Sequence, residues 1–106
     1  MTPPGLAPAP MMDLDELARA TEGVAAGERV GFSGACTDSR VIAPGELFVA
    51  LRGDSFDGHD YVPQAIGRGA AAALVARRVG SEREIPQVVV KDTKAALGRL
   101  AAAWRS

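Results

Sequence analysis

Between Thr37 and Tyr61 the 106-residue chain groups several side chains that can do chemistry: Asp38-Ser39-Arg40, then Arg52, Asp54, Ser55 and Phe56, then Asp57, His59 and Asp60. His59 is the only histidine, and its flanking carboxylates suit a general base or a metal ligand. Aspartates that cap a helix start give the same pattern. Because a base or a metal ligand needs converging partners, the structural reading of His59 is preferred. Ser39 offers a donor and an acceptor, and Arg40 a planar fork suited to a carboxylate, a phosphate or a backbone carbonyl. On spacing alone, an Asx or Ser turn with Arg40 tied to a local aspartate accounts for the same residues. Arg52, Asp54 and Ser55 can read the polar edge of a ring held against Phe56, or can form a solvated loop. From Thr37 to Asp60 two basic residues (Arg40, Arg52) face five acidic ones (Asp38, Glu46, Asp54, Asp57, Asp60), a balance of −3 that argues against this stretch alone gripping a diphosphate. Cys36 has no base beside it in sequence and reads as a small buried thiol rather than a nucleophile.

The sequence has no GxxxxGK[ST] phosphate loop, no GxGxxG after a strand, no HExxH and no paired CxxC, so no self-contained nucleotide-hydrolysing or metal-binding motif is present. Hydrophobic residues make up 47% and charged residues 24%, which places the chain with ordinary soluble domains of one core. A net charge of −1 gives no electrostatic reason to expect nucleic acid or an anionic membrane surface. The lone cysteine fits a reducing cytoplasm. No apolar run approaches the roughly 20 residues of a membrane span.

The elements that must position these residues follow from periodicity and punctuation. Residues 1–12, with four prolines, read as a disordered lead-in without the features of a signal peptide. Asp13 and Glu16 form a capping box that predicts a helix over Asp13–Ala20, ended by Gly23 and the Ala25–Gly27 stretch. Short strands are predicted over Arg29–Ser33 and Cys36–Ser39, and a strand buried on both faces over Glu46–Leu51. Asp60 is predicted to cap a helix whose Val62, Ala65 and Ile66 face the core, with Pro63 tolerated in its first turn. Ala71–Ala76 then closes a right-handed βαβ unit. Pro86 opens a strand over Gln87–Lys91, and Asp92 caps a last helix with Leu97, Leu100, Ala101 and Trp104 on one stripe. The expected architecture is a small α/β domain, its sheet mostly parallel or mixed. The absence of a stop signal before Ser106 suggests that the chain continues in the native protein.

The ordered motifs TDSR, PGELFVALRG and FDGHDYVPQAIGRGAAAALV resemble the N-terminal domain of the Mur ligases, which build the peptidoglycan precursor. The FDGHDY form resembles the branch that adds D-alanyl-D-alanine (MurF) more than its sibling branch (MurE). The likeness covers about Asp13 to Trp104 and implies that residues 13–106 are a UDP-sugar-peptide-binding domain, with the central ATPase and C-terminal domains outside this chain. It implies a cytoplasmic enzyme in which ATP and magnesium, held by the central domain, convert the peptide's carboxylate into an acyl phosphate that the amine of D-alanyl-D-alanine attacks. It implies that this chain binds no cofactor, is inactive alone and holds the uridine end of UDP-MurNAc-peptide. The matching motifs assign that contact to Thr37, Ser39, Arg40, Asp54, Ser55 and Phe56, with Asp57 and His59 shaping the loop. A non-catalytic nucleotide- or protein-binding regulatory module, and a small hydrolase using Asp57, His59 and Asp60, are the other readings.

Overall fold

Apolar residues alternate across three adjacent strands and load both faces of one sheet. The computed structural model describes residues 12–80 and 85–105. In it the strands are β1 (Met12–Asp13), β2 (Val24–Ala26), β3 (Gly31–Phe32), β4 (Ala35–Cys36), β5 (Leu47–Val49), β6 (Ala72–Val75) and β7 (Gln87–Val89), with helix α1 (Leu14–Thr21) after β1, α2 (Val62–Gly67) between β5 and β6, and α3 (Thr93–Arg105) after β7. Five strands form a sheet in the order β2-β7-β6-β5-β4, parallel throughout except for β2, which runs antiparallel to β7. The predicted mixed α/β sheet is the one observed.

Leu47 and Val49 of β5, Ala72 and Leu74 of β6 and Val88 of β7 point to one face, where they meet Leu14 and Leu17 of α1 and Ala96 and Leu100 of α3. Phe48, Ala73 and Val75 point to the other, against Val62 and Ala65 of α2. The period of two in a strand is what splits one apolar run between two cores. Gln87 breaks the apolar pattern of β7 and is fully buried. Its amide is nevertheless satisfied, accepting from Val79 N at 2.8 Å and donating to Val79 O at 2.8 Å and Ile85 O at 3.1 Å.

The capping box holds: the Asp13 carboxylate accepts from Glu16 N at 2.8 Å, and Glu16 returns the bond to Asp13 N at 3.2 Å. Asp92 accepts from Lys94 N and Ala95 N and so caps α3, whose buried face carries Thr93, Ala96 and Leu100. The side chain of Trp104 lies outside the described residues, as do residues 1–11 of the expected lead-in.

Several expectations are corrected. Met12, placed in the lead-in, pairs with Phe32 in a two-stranded ribbon, and of the strand predicted over Arg29–Ser33 only Gly31–Phe32 joins it. Residues 23–27, read as the end of a helix, contain edge strand β2, because β7 offers an open ladder there. The short strand expected at Cys36–Ser39 lies at Ala35–Cys36, since Asp38 to Val41 closes a turn through Val41 N to Asp38 O at 3.3 Å. Asp60 does not cap α2. Asp57 instead caps a 3-10 turn over Gly58–Tyr61, which runs directly into α2 with Pro63 in its first turn.

Candidate functional site

β4 and β5 run parallel, so the segments leaving them, 37–41 and 50–61, emerge at the same edge of the sheet. Between them lies a cleft of about 520 Å³ lined by Thr37, Asp38, Ser39 and Arg40 on one side and Phe56, Gly58, Tyr61 and Gln64 on the other, with Phe48 beneath. The carboxyl edge of parallel strands is where open α/β sheets place ligands. The sequence-predicted residues Thr37, Ser39, Arg40 and Phe56 are therefore brought together. Asp54 and Ser55 stand exposed at the tip of a tight turn that Gly53 N closes on Phe56 O at 2.9 Å, and they do not line the cleft. Asp57 and His59 lie behind it.

The first wall is built by local bonds. Asp38 accepts from Arg40 N at 2.9 Å, Nε at 3.1 Å and Nη2 at 3.0 Å, which is the Asx turn with a tied arginine. The Arg40 guanidinium holds the Asp38 carboxyl below the usual carboxylate range, and Asp38 in turn raises Arg40. Cys36 Sγ lies 3.3 Å from Asp38 O and 3.5 Å from Asp38 N, so the thiol steadies the same turn. Ser39 is 6% exposed and donates its hydroxyl proton to Gln64 Oε1 at 2.9 Å, bridging the two walls.

The second wall is a loop folded back on β5. Gly58 N donates to Leu51 O at 2.7 Å, and a Cβ on Gly58 would lie 2.6 Å from that oxygen, so only glycine fits. The Phe56 ring lies over Gly53, where a Cβ would come within 2.3 Å of the ring. Phe56 is 54% exposed and Tyr61 45%, leaving two aromatic faces open at the cleft.

His59 faces inward, 4% exposed. Its Nδ1 is 2.6 Å from Asp57 Oδ1, and its Nε2 accepts from Ala76 N at 2.8 Å. An Nε2 that accepts carries no proton, so the ring is the Nδ1–H tautomer with both nitrogens occupied. The hydrolase reading, which needs this nitrogen as a base, finds it already engaged. Asp57 Oδ1 also accepts from His59 N at 3.0 Å, and its Oδ2 lies 3.2 Å from Arg77 Nη2. Bonding to the His59 backbone and ring, with Arg77 adding to it, lowers the Asp57 carboxyl to about 2.

Residues 32–105 match the family model described as "Mur ligase family, catalytic domain". The chain belongs to the Mur ligase family. It is 44% identical over 79 residues to the UDP-N-acetylmuramoyl-tripeptide--D-alanyl-D-alanine ligase of Synechocystis sp., covering 74% of this chain and 17% of that protein. A crystal structure of MurF from Acinetobacter baumannii superposes with a TM-score of 0.76 at 35% identity, over 92% of this chain and 22% of that one. MurF from Thermotoga maritima, solved in complex with ADP, superposes with a TM-score of 0.58 at 33% identity over 65% of this chain and 16% of that one. The chain spans about a fifth of the length of these relatives, and its likeness is to the N-terminal domain of the MurF ligases.

Within this Mur ligase domain, Phe48, Tyr61 and Gln64 are cleft residues that the sequence reading did not single out for the site. Tyr61 and Gln64 stand three apart across the junction of the 3-10 turn and α2, a spacing that puts both on one side once the turn is known to be helical. Phe48 was assigned to the core and serves there too, since one strand residue can floor a cleft and fill a core. Among the described residues no three His, Cys, Asp or Glu side chains converge as a metal site requires, and no helix is long and apolar enough to cross a membrane.

Proposed function

We propose that residues 13–106 form the substrate-binding domain of an ATP-dependent amide ligase that adds D-alanyl-D-alanine to UDP-MurNAc-peptide in the cytoplasm, and that the cleft holds the uridine end of that substrate. The observation that carries the reading is the Ser39–Gln64 pair set beside two open aromatic faces. The Ser39 hydroxyl donates to Gln64, which leaves its lone pairs to accept the N3–H of uracil. Gln64 Nε2 has no partner among the described residues and can donate to the adjacent carbonyl. Phe56 and Tyr61 supply the apolar surface that a base packs against.

The two charged residues of the lining, Asp38 and Arg40, neutralise each other. Recognition in this cleft therefore rests on the nucleoside, with little from the diphosphate. The sequence carries no phosphate loop for ATP, and among the described residues no three His, Cys, Asp or Glu side chains converge to hold magnesium. Both are assigned, with D-alanyl-D-alanine, to other parts of the ligase.

NMR titration with uridine, UDP and adenosine tests the reading. Uridine and UDP are expected to bind with similar affinity near the millimolar range, about −4 kcal/mol. Shifts should centre on Thr37–Arg40 and Phe56–Gln64. An equal response to adenosine, or shifts elsewhere, would replace this reading with that of a general nucleotide- or protein-binding module.

A further inference from the structure

We infer that His59 is a positioning residue for the cleft, a use of this buried side chain that rests on the uridine reading above. The residues that form the second wall, Phe56, Gly58 and Tyr61, flank His59 within a few positions on either side. His59 itself points the other way, and its Nε2 accepts the Ala76 N–H just beyond the carboxyl end of β6. Asp57 stands behind it, with one carboxylate oxygen on the His59 ring and backbone and the other toward Arg77. The ring thus bridges a loop that leaves β5 to the end of β6, the neighbouring strand, and fixes how far the Phe56 and Tyr61 faces stand from Thr37–Arg40.

Two requirements follow from the chemistry of the bridge. The Nε2 position must accept a hydrogen bond, because Ala76 offers an N–H, and the Nδ1 position must donate one, because Asp57 offers a carboxylate. Glutamine places its amide near the Nε2 position and supplies the acceptor. Asparagine places its amide near Nδ1 and supplies only the donor. A generic core filler would lose packing throughout the surrounding core in the smaller asparagine, whereas a positioning residue confines the loss to the Ala76 amide and the Phe56–Tyr61 loop.

The experiment uses the 106-residue chain, with uridine as the probe, and compares H59Q and H59N by NMR. H59Q should keep uridine affinity within about threefold of the parent and leave the Ala76 amide protected from exchange. H59N should bind about tenfold more weakly, the upper end of what one lost hydrogen bond is worth, with faster exchange at Ala76 and across Phe56–Tyr61 and an unchanged core spectrum. Equal affinities in H59N and the parent, or equal losses in both variants, overturn the inference. A parent chain that ignores uridine sinks the uridine reading alone. The bridge is then judged by exchange across Phe56–Tyr61, which must rise in H59N and not in H59Q. Should H59N not fold, the ring nitrogen shifts of the parent decide: Nε2 must be the unprotonated nitrogen, and an unprotonated Nδ1 overturns the assignment.

Discussion

Replacing Phe48 by alanine tests the α2-side core and the cleft floor in one step. Phe48 is 1% exposed, lies between Leu47 and Val49 on the central run of β5 and packs with Val62, Ala65, Ala73 and Val75. Phenylalanine-to-alanine changes in cores cost about 3–5 kcal/mol, part of it for the cavity left behind. Here Phe48 lies against the cleft, so water can enter the volume vacated by its ring and the cavity contribution shrinks. The expected loss is therefore at the low end, about 3 kcal/mol, a large share of the roughly 5–15 kcal/mol that holds a domain together. In urea, with a slope of about 1.5 kcal/mol per molar, the midpoint should fall by about 2 M. The melting temperature should fall by about 12–24 °C. Circular dichroism melts of both proteins measure this directly. A loss under about 1 kcal/mol would refute the placement of Phe48 in the core, and one above about 5 kcal/mol would show that the cleft side of the ring is sealed.

Ser39→Ala should weaken uridine about fivefold, the worth of one hydrogen bond of about 1 kcal/mol, and should lower stability measured in urea by about 1 kcal/mol as well, because the buried Ser39–Gln64 bond is lost. Asp57 is held near 2, below its ordinary 3.8, so its contribution to stability is fully present above about pH 4 and is lost as the pH falls toward 2. Urea midpoints from pH 5 to pH 2 should show that loss, and D57N should flatten it. Gly58→Ala forces a methyl against Leu51 O at 2.6 Å and should cost about 2 kcal/mol or more, because the obstacle is backbone. Gly53→Ala meets only the half-exposed Phe56 ring, so uridine affinity should fall with little change in the urea midpoint.

The parts of the fold that could be read from sequence were those where one local signal suffices. The dense apolar runs of β5, β6 and β7 need no partner to be recognised, and the Asp13–Glu16 box and the Asp92 cap are short-range chemistry. Val24–Ala26 was missed because Val-Ala-Ala carries no strong strand signal. It is extended because β7 pairs with it, which is a tertiary cause. Asp60 and Asp57 were exchanged as caps because both precede a plausible helix start, and a 3-10 turn between them is not written in hydrophobic period. For the site, the Asx turn at Asp38 and the joint location of TDSR with the Phe56 loop were legible. The contribution of Gln64 was not, since its bond to Ser39 spans 25 positions and depends on how α2 docks.

The sheet also acts as a partition between two kinds of selective pressure. Leu47, Val49, Ala72, Leu74 and Val88 face α1 and α3, away from the cleft, whereas Phe48 on the opposite face both supports α2 and floors the cleft. Side-chain volumes on the first face can be exchanged to raise or lower the melting temperature while ligand contacts stay as they are. On the second face a change in volume at Phe48 is felt at the ligand as well. A lineage adapting to heat, or an engineer seeking a sturdier domain, has its freedom on the α1 and α3 side.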